Sequence, residues 1–579
     1  MQTKRLCALL LTAALTLALA VPCAGASYYS DGEHYDAAFA DMPVAGIDAD
    51  GVDAFCERFL RDPAGEYGAL LELFDDLQTQ VSLLGIQSDC QAGDEARSAA
   101  YEQAQNDYDY AADRISAALS EALGGEQGDA LRALMPEDEA DGFADYVPLS
   151  AEELAADAGE TALIQEYFLL PYDDDFETAA AELYLKLVAL RRAQAEDAGF
   201  DSYPEYAYVS TYAREYVPED ARHLQRVVKS YYAPLLTRCA LALAACGEAW
   251  DDDAVPSENE VLDQLEAHLS DVSPELSEAM SFLRRNHLCR IGDDAEMAEM
   301  AYTVSLPAYR SAFLFNKAGT RFDAFETTVH EFGHFNAAYH DPTPALYQYN
   351  NIDVSEVQSQ GLEMLFLPCL QDILAGQDEA KRSVVALRML TNMLTSVVDG
   401  CLYDEFEQAV YDDPALTVEE LHQLEARLSA EYGYDELYEP EIFWPYVNHL
   451  FSSPCYYISY AVSALSALEL WALSQEDYGA AVDAYMNISA ARTDEWFFDV
   501  LEENGLSDVT NRRALVRLAD DLERGVDALE SELPASTAGQ TLLVLALVVC
   551  VLAAALCVLL AVYFRRRRRD AAERAPMEF

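Results

Sequence analysis

Asp323-Ala-Phe-Glu326-Thr-Thr-Val-His330-Glu331-Phe332-Gly333-His334 decides what fold and chemistry this chain can support. His330 and His334 are four apart, so on a helix they stand one turn apart on one face and can share a metal ion. Phe325, Val329 and Phe332 recur at spacings of four and three and give the same helix an apolar side. Asp323, followed three residues later by Glu326, reads as its N-cap. Glu331 sits beside the first histidine, where it can take a proton from an activated water and pass it to a leaving amine. With only nine histidines in 579 residues, chance explains the pattern poorly. The bland alternative is a surface helix with two solvated histidines.

A catalytic zinc usually has three protein ligands and one open position. Two residues compete for the third place. His340 lies six after His334, a metzincin-like spacing, but Ala337 stands where that motif needs glycine. Glu356 lies 22 residues after His334, in Asp353-Val-Ser-Glu356-Val-Gln-Ser359-Gln-Gly-Leu-Glu363. A second helix starting near Asp353 or Ser355 would carry it to the metal. Glu363, seven further on, falls on the same face and either orients a ligand imidazole or is a surface carboxylate.

Working outward, the chain reads as helix nearly throughout. Glu66 to Leu84, Glu95 to Leu123, Glu177 to Ala198, Pro218 to Cys246 and Leu416 to Glu431 carry 3.6-type apolar spacing with few breakers. Only Tyr302–Leu306 and Ser311–Phe315 are predicted as strands, just upstream of the histidines. The 51% hydrophobic content supports a large core and excludes a disordered chain. Lys and Arg number 36 against 103 Asp and Glu, so a nucleic-acid partner is excluded on charge. Asp173–Asp175 and Asp251–Asp253 read as solvated turns, lacking a calcium-loop pattern around them.

The two ends read as targeting segments. Residues 1–26 have Lys4 and Arg5, then the apolar run Leu6 to Ala20, then Ala24-Gly25-Ala26, the layout of a signal peptide. Residues 531–541 read as a linker, and Leu542 to Phe564 is a 23-residue run without charge, about 34 Å of helix. Arg565 to Arg569 open a basic tail, 565–579, that stays in the cytoplasm by the positive-inside rule. Leu533-Pro534-Ala535-Ser536-Thr537 before that span is also similar to a cell-wall sorting signal, with Ser536 and Thr537 where Thr and Gly are usual. Between the ends, residues 27–165 are expected to form an N-terminal helical region and 166–530 a catalytic domain. Eight cysteines fall outside the signal and the span, none in a C-x-x-C pair, so buried thiols and bridges are equally open.

His330-Glu-Phe-Gly-His334 followed by Glu356-Val-Gln-Ser359 resembles the thimet oligopeptidase and oligoendopeptidase F family of zinc peptidases. Phe313-Leu-Phe-Asn316-Lys-Ala-Gly319-Thr320 is similar to the family's lead into the metal helix. Leu187-Val-Ala-Leu-Arg191 through Gly199-Phe-Asp-Ser-Tyr203 is similar to its mid-chain helices. His449-Leu-Phe-Ser-Ser-Pro454-Cys-Tyr456-Tyr457-Ile-Ser-Tyr460 resembles its histidine- and tyrosine-rich segment, with Cys455 where that branch usually has Phe. The resemblance covers about 180–520. It implies a mostly α, bowl-like peptidase with a deep channel and a small β-sheet near the active site. It implies one zinc ion on His330, His334 and Glu356, with Glu331 as general base. Tyr460, Tyr457 and His449 would donate to the oxyanion, Tyr456 being the register rival of Tyr457. The resemblance implies hydrolysis of short peptides rather than folded proteins. Separately, a monomer is expected.

Two other readings differ in what they predict. A non-catalytic peptide-binding protein on the same scaffold would bind peptides without turnover. A structural surface protein would hold no metal. The end segments generate their own test: protease added to intact cells is expected to digest residues 27–530 and spare a tag at Phe579. A tag reached from outside would overturn this single-span orientation.

Overall fold

The computed structural model describes His34 and residues 37–533, apart from 149–150, 174, 247–253, 349–350, 414, 439–441 and 493–494. The expected signal peptide, the linker beyond Leu533, the apolar span and the basic tail lie outside the described residues, as do Asp251–Asp253.

Among the described residues the chain is mostly helical with one three-stranded sheet. Ala301–Leu306 (β2) and Ser311–Lys317 (β3) are the two strands expected from sequence. A third, Cys289–Gly292 (β1), is too short and too mixed in its residues to stand out; its partner makes it a strand. It pairs parallel with β3, which pairs antiparallel with β2, so the order is β1-β3-β2. The central β3 is buried over Ser311–Asn316, as a strand covered on both faces must be. β2 forms one edge, with Thr303 opposite Leu314.

The helices form where the apolar period runs, as at Pro63–Asp89, Glu95–Leu123 and Phe176–Asp197. Pro218 to Cys246 is one helical run broken by a π-turn at Val228–Tyr232, a local widening that apolar spacing does not reveal. The helix carrying the histidines, Arg321–His340, starts earlier than expected. Thr320, in extended backbone, caps it by accepting from the Asp323 amide at 3.1 Å, so Asp323 is a first-turn acid and not the cap. Eleven residues on, Asn351 caps the glutamate-bearing helix, Ile352–Ala375. A long helix, Glu379–Asp412, then crosses the core; among the described residues it alone has the length and hydropathy of a membrane span, and most of it is buried in protein.

Two apolar cores result. The small one gathers Phe55, Phe59, Leu70, Phe74, Ile115 and their neighbours from the first helices. The large one contains everything from Phe176 onward that surrounds the histidines. The helix Pro63–Asp89 serves both, with Phe74 and Leu77 in the small core and Leu83 and Ile86 in the large one. Ala345 and Tyr347, from the loop joining the histidine and glutamate helices, are buried in the small core, and the Ala345 amide donates to Asp75 Oδ1 at 2.8 Å.

The histidine-bearing and glutamate-bearing helices cross at Gly333, where a Cβ would stand 2.5 Å from the Gln358 carbonyl oxygen and 2.6 Å from the Ser359 Cα. Both obstacles are backbone, so no side-chain rotation relieves them. Gly333→Ala is therefore expected to destabilise the protein by about 1–3 kcal/mol, the usual cost of forcing extra volume into a packed contact. Equilibrium denaturation checks it, and wild-type stability would show that the helices separate freely.

Candidate active site

On the histidine helix, Phe325, Val329 and Phe332 face the core and leave His330 and His334 together on the opposite side. Their rings lie 5.0 Å apart. Asn316 on β3 donates to Thr328 Oγ1 at 3.0 Å, tying the helix to the sheet. From the neighbouring helix, Glu356 Oε2 stands 3.6 Å from His330 Nε2 and 3.8 Å from His334 Nε2. One ligand atom from each of the three lies within 4.8 Å of the others. Two imidazole nitrogens and one carboxylate oxygen at such separations match a three-donor zinc site with an open position.

The outward nitrogens are occupied. His330 Nδ1 bonds Glu363 Oε1 at 2.6 Å, and His334 Nδ1 meets Ser355 Oγ at 3.2 Å. Glu363 is buried, so its imidazole-orienting reading is the one the geometry supports. Glu356 is held as well: Ser359 Oγ donates to Oε2 at 3.1 Å and Tyr456 OH donates to Oε1 at 3.0 Å. His340, the rival third ligand, is the last residue of the same helix and packs edge-on against Tyr339, outside the donor group.

Glu331 is buried beside the donors without being one of them. Its Oε2 accepts from Thr303 Oγ1 of β2 at 3.0 Å. Burial raises its carboxyl to about 7, against the pull of His330 and Thr303. A carboxyl poised there exchanges protons readily near neutral pH. Burial works to lower both imidazoles: it holds His334 down to about 4, while at His330 the Glu363 carboxylate prevails over burial and raises the ring to about 10.

His449, on the short helix Asn448–Ser452, and three tyrosines around the start of the helix Ile458–Glu476 form one ring cluster. His449 lies 5.2, 5.4 and 5.9 Å from the rings of Tyr456, Tyr457 and Tyr460. The tyrosines face different ways. Tyr456 reaches Glu356, and the Tyr460 phenol feels the charges of Glu356 and Glu331 after burial has raised it. Tyr457 packs on Tyr403 at 5.1 Å, and the charges that act on it after burial are those of Asp399 and Glu407 on the long helix. Of the two register rivals, it is Tyr456 that touches a metal-site residue. All three phenols are raised by burial first, so they remain protonated donors at neutral pH.

Sequence reading missed the buried charges behind this cluster. Arg191 is fully buried, pairs with Glu160 at 2.6 Å, and donates to the Leu450 carbonyl at 3.1 Å and to the Phe451 carbonyl. Glu407 accepts from the Cys455 amide at 2.8 Å, holding a residue whose φ of 61° is left-handed. Arg214 lies between the Tyr208 and Tyr212 rings, donates to Ser459 Oγ at 2.8 Å and stands 3.9 Å from Asp353. It thereby joins the glutamate helix to the tyrosine helix. Arg191 closes a stretch singled out from sequence, but nothing local distinguishes a buried arginine from a solvated one. The eight cysteines are all free thiols, six of them buried.

Among solved structures the chain is similar to Pz peptidase A with an inhibitor, at TM-score 0.70 and 18% identity, covering 85% of this chain and 100% of that one. It is similar to a Bacillus anthracis protein assigned as an oligoendopeptidase F, at TM-score 0.69 and 17% identity, covering 86% and 99%. The M32 carboxypeptidase of Deinococcus radiodurans matches at TM-score 0.56 and 12% identity, covering 80% and 98%. No protein-family model matches the sequence, and no curated protein matches it. The fold is thus the one these peptidases share.

The donor set generates a ranking. Glu356→Ala removes one of three donors and is expected to strip zinc on dialysis, while His340→Ala is expected to leave zinc content unchanged. Metal analysis of the two variants decides it, and the reverse order would move the third ligand to His340.

Proposed function

We propose that this chain is a zinc-dependent metalloendopeptidase of the oligoendopeptidase F kind, hydrolysing short peptides outside the cell. One observation carries the reading: two imidazoles and Glu356 converge from two crossing helices while a fourth buried group, Glu331, stands beside them uncommitted to the donor set. The shared fold supports a peptidase, and the narrow channel that the family resemblance implies would admit short peptides rather than folded proteins.

His330, His334 and Glu356 would hold one zinc ion, which supplies a Lewis acid for the scissile carbonyl. Glu363 and Ser355 fix the imidazoles that present their Nε2 atoms to it. Glu331 accepts the proton of the attacking water and delivers it to the leaving amine. Tyr460 donates to the oxyanion as charge develops, with His449 and Tyr457 as further donors in the same cluster. Tyr456 acts differently, by orienting Glu356. The signal and the apolar span fit export and a single C-terminal anchor, with the basic tail inside and the peptidase outside as a monomer.

Glu331→Gln keeps the shape of the side chain and removes its proton-accepting oxygen. Peptide turnover is expected to fall by roughly 10² to 10⁴ while zinc stays bound. Unchanged turnover in metal-loaded protein would end this mechanism.

The tyrosines are separable. Tyr460→Phe is expected to lower kcat by roughly 10² to 10³ at constant zinc content. Tyr456→Phe frees the Glu356 carboxylate and is expected to weaken zinc retention by about 10- to 100-fold. Steady-state kinetics beside a chelator titration reads both, and identical behaviour of the two variants would contradict the division of roles.

A further inference from the structure

Close to His449 the surface turns aromatic. The Tyr167 ring is buried, stacks on Phe451 at 3.7 Å, and its hydroxyl donates to Asn448 Oδ1 at 2.7 Å and to the Pro445 carbonyl at 3.0 Å. From this base Phe168, Leu169, Tyr172, Phe443 and Tyr446 project outward; Leu169 is 82% exposed, Tyr172 78% and Phe443 61%. They form one surface, because Tyr172 and Tyr446 both lie against Phe176, at 4.7 and 4.9 Å, and Phe443 lies 6.4 Å from Tyr446. Exposed aromatic side chains in a contiguous group mark a binding surface more than scattered ones do. Tyr446 is three residues before His449, so the surface is continuous with the segment proposed to act on the substrate.

The nearby chain is predominantly acidic. Among its described residues, 161–185 hold five acidic residues and no Lys or Arg, and 428–456 hold three and none, with Lys186 and Arg427 standing just outside these stretches. Tyr446 OH itself donates to Glu177 at 3.4 Å. Arg191, which reaches the same segment from behind, is buried and paired with Glu160. An aromatic floor inside a carboxylate rim complements a ligand that is apolar and cationic together.

A lipid bilayer is a poor occupant. The long helix Glu379–Asp412 has 34 residues, about 51 Å. At its start Ser383 Oγ donates to Glu532, where the last described helix ends and the chain leaves toward its proposed anchor. At its far end Tyr411 meets Arg191, which holds the 450–451 backbone beneath the aromatic surface. The nine residues between Glu532 and Leu542 reach about 31 Å when extended, less than the roughly 42 Å of helix from Ser383 to Tyr411 that they would have to retrace.

Resting on the peptidase reading above, we propose that this surface binds the flanking part of cationic amphipathic peptides, those alternating Lys or Arg with aromatic or aliphatic residues, and so selects them as substrates. The test uses the full-length, zinc-loaded protein in nanodiscs of zwitterionic lipid. Three peptides share one cleavable core and carry, on either end in turn, a Lys/Phe, a Glu/Phe or a Gly/Ser extension. The Lys/Phe peptide is expected to show a KM at least tenfold below the other two, an advantage that shrinks with added salt. Tyr172→Ser with Phe443→Ser, both on exposed side chains, is expected to abolish that advantage and leave cleavage of the bare core unchanged. Equal KM for all three peptides, or a double variant that keeps the preference, would overturn the proposal. If no peptide is cleaved, the peptidase reading fails separately. Fluorescence anisotropy of the same labelled peptides on the Glu331→Gln protein then decides the surface: tenfold tighter binding of the Lys/Phe peptide, lost in the triple variant, sustains it, and equal binding ends it. A dimer that forms with concentration and disappears in the double variant would make a second copy the occupant and would also overturn it.

Discussion

Everything at the site depends on how closely two helices can approach. The donors come from separate elements: two imidazoles from Arg321–His340 and a carboxylate from Ile352–Ala375. Side chains of these lengths converge on one point only if the backbones nearly touch, and Gly333 against Gln358 and Ser359 is where they do. The same economy of space recurs at Gly400, where a Cβ would stand 2.7 Å from the Tyr457 carbonyl. That second contact brings the tyrosine helix onto the long helix. Two glycines on different helices thus permit the close approaches on which the site's helices are packed.

Buried charge does the rest of the positioning. Arg191 and Glu407 are costly to bury, and each is compensated by binding backbone or a partner carboxylate. What they secure is the stretch 448–457, the short helix Asn448–Ser452 followed by a few irregular residues, too brief to hold its own shape through a helical ladder. Arg214 is the joint between that stretch and the glutamate helix. The ligand carboxylate and the phenol bonded to it therefore belong to one connected polar network instead of two separately packed parts.

The spacing of His330 and His334, the 22-residue interval to Glu356 and the strands β2 and β3 were all legible in the sequence, because each depends on a local period or a short-range pattern. The short strand β1 was not, since four residues acquire strand geometry from their partner. Thr320 outcompeted Asp323 as cap because the chain enters the helix from an extended segment that ends on Thr320. Consecutive tyrosines could not be told apart for a similar reason. Cys455, in left-handed backbone immediately before them, resets the direction in which Tyr456 and Tyr457 point, and Glu407 far away in sequence holds it there. Composition likewise could not separate Arg191 from the many charges that are solvated.

The loop joining the two metal-site helices has its middle embedded in the other core, through Ala345, Tyr347 and the bond to Asp75. Its two ends are the end of the histidine helix and the cap of the glutamate helix. The first helices of the chain therefore anchor, from outside, the crossover between the two donor-bearing helices: an early part of the chain fixes the endpoints of a joint built far downstream.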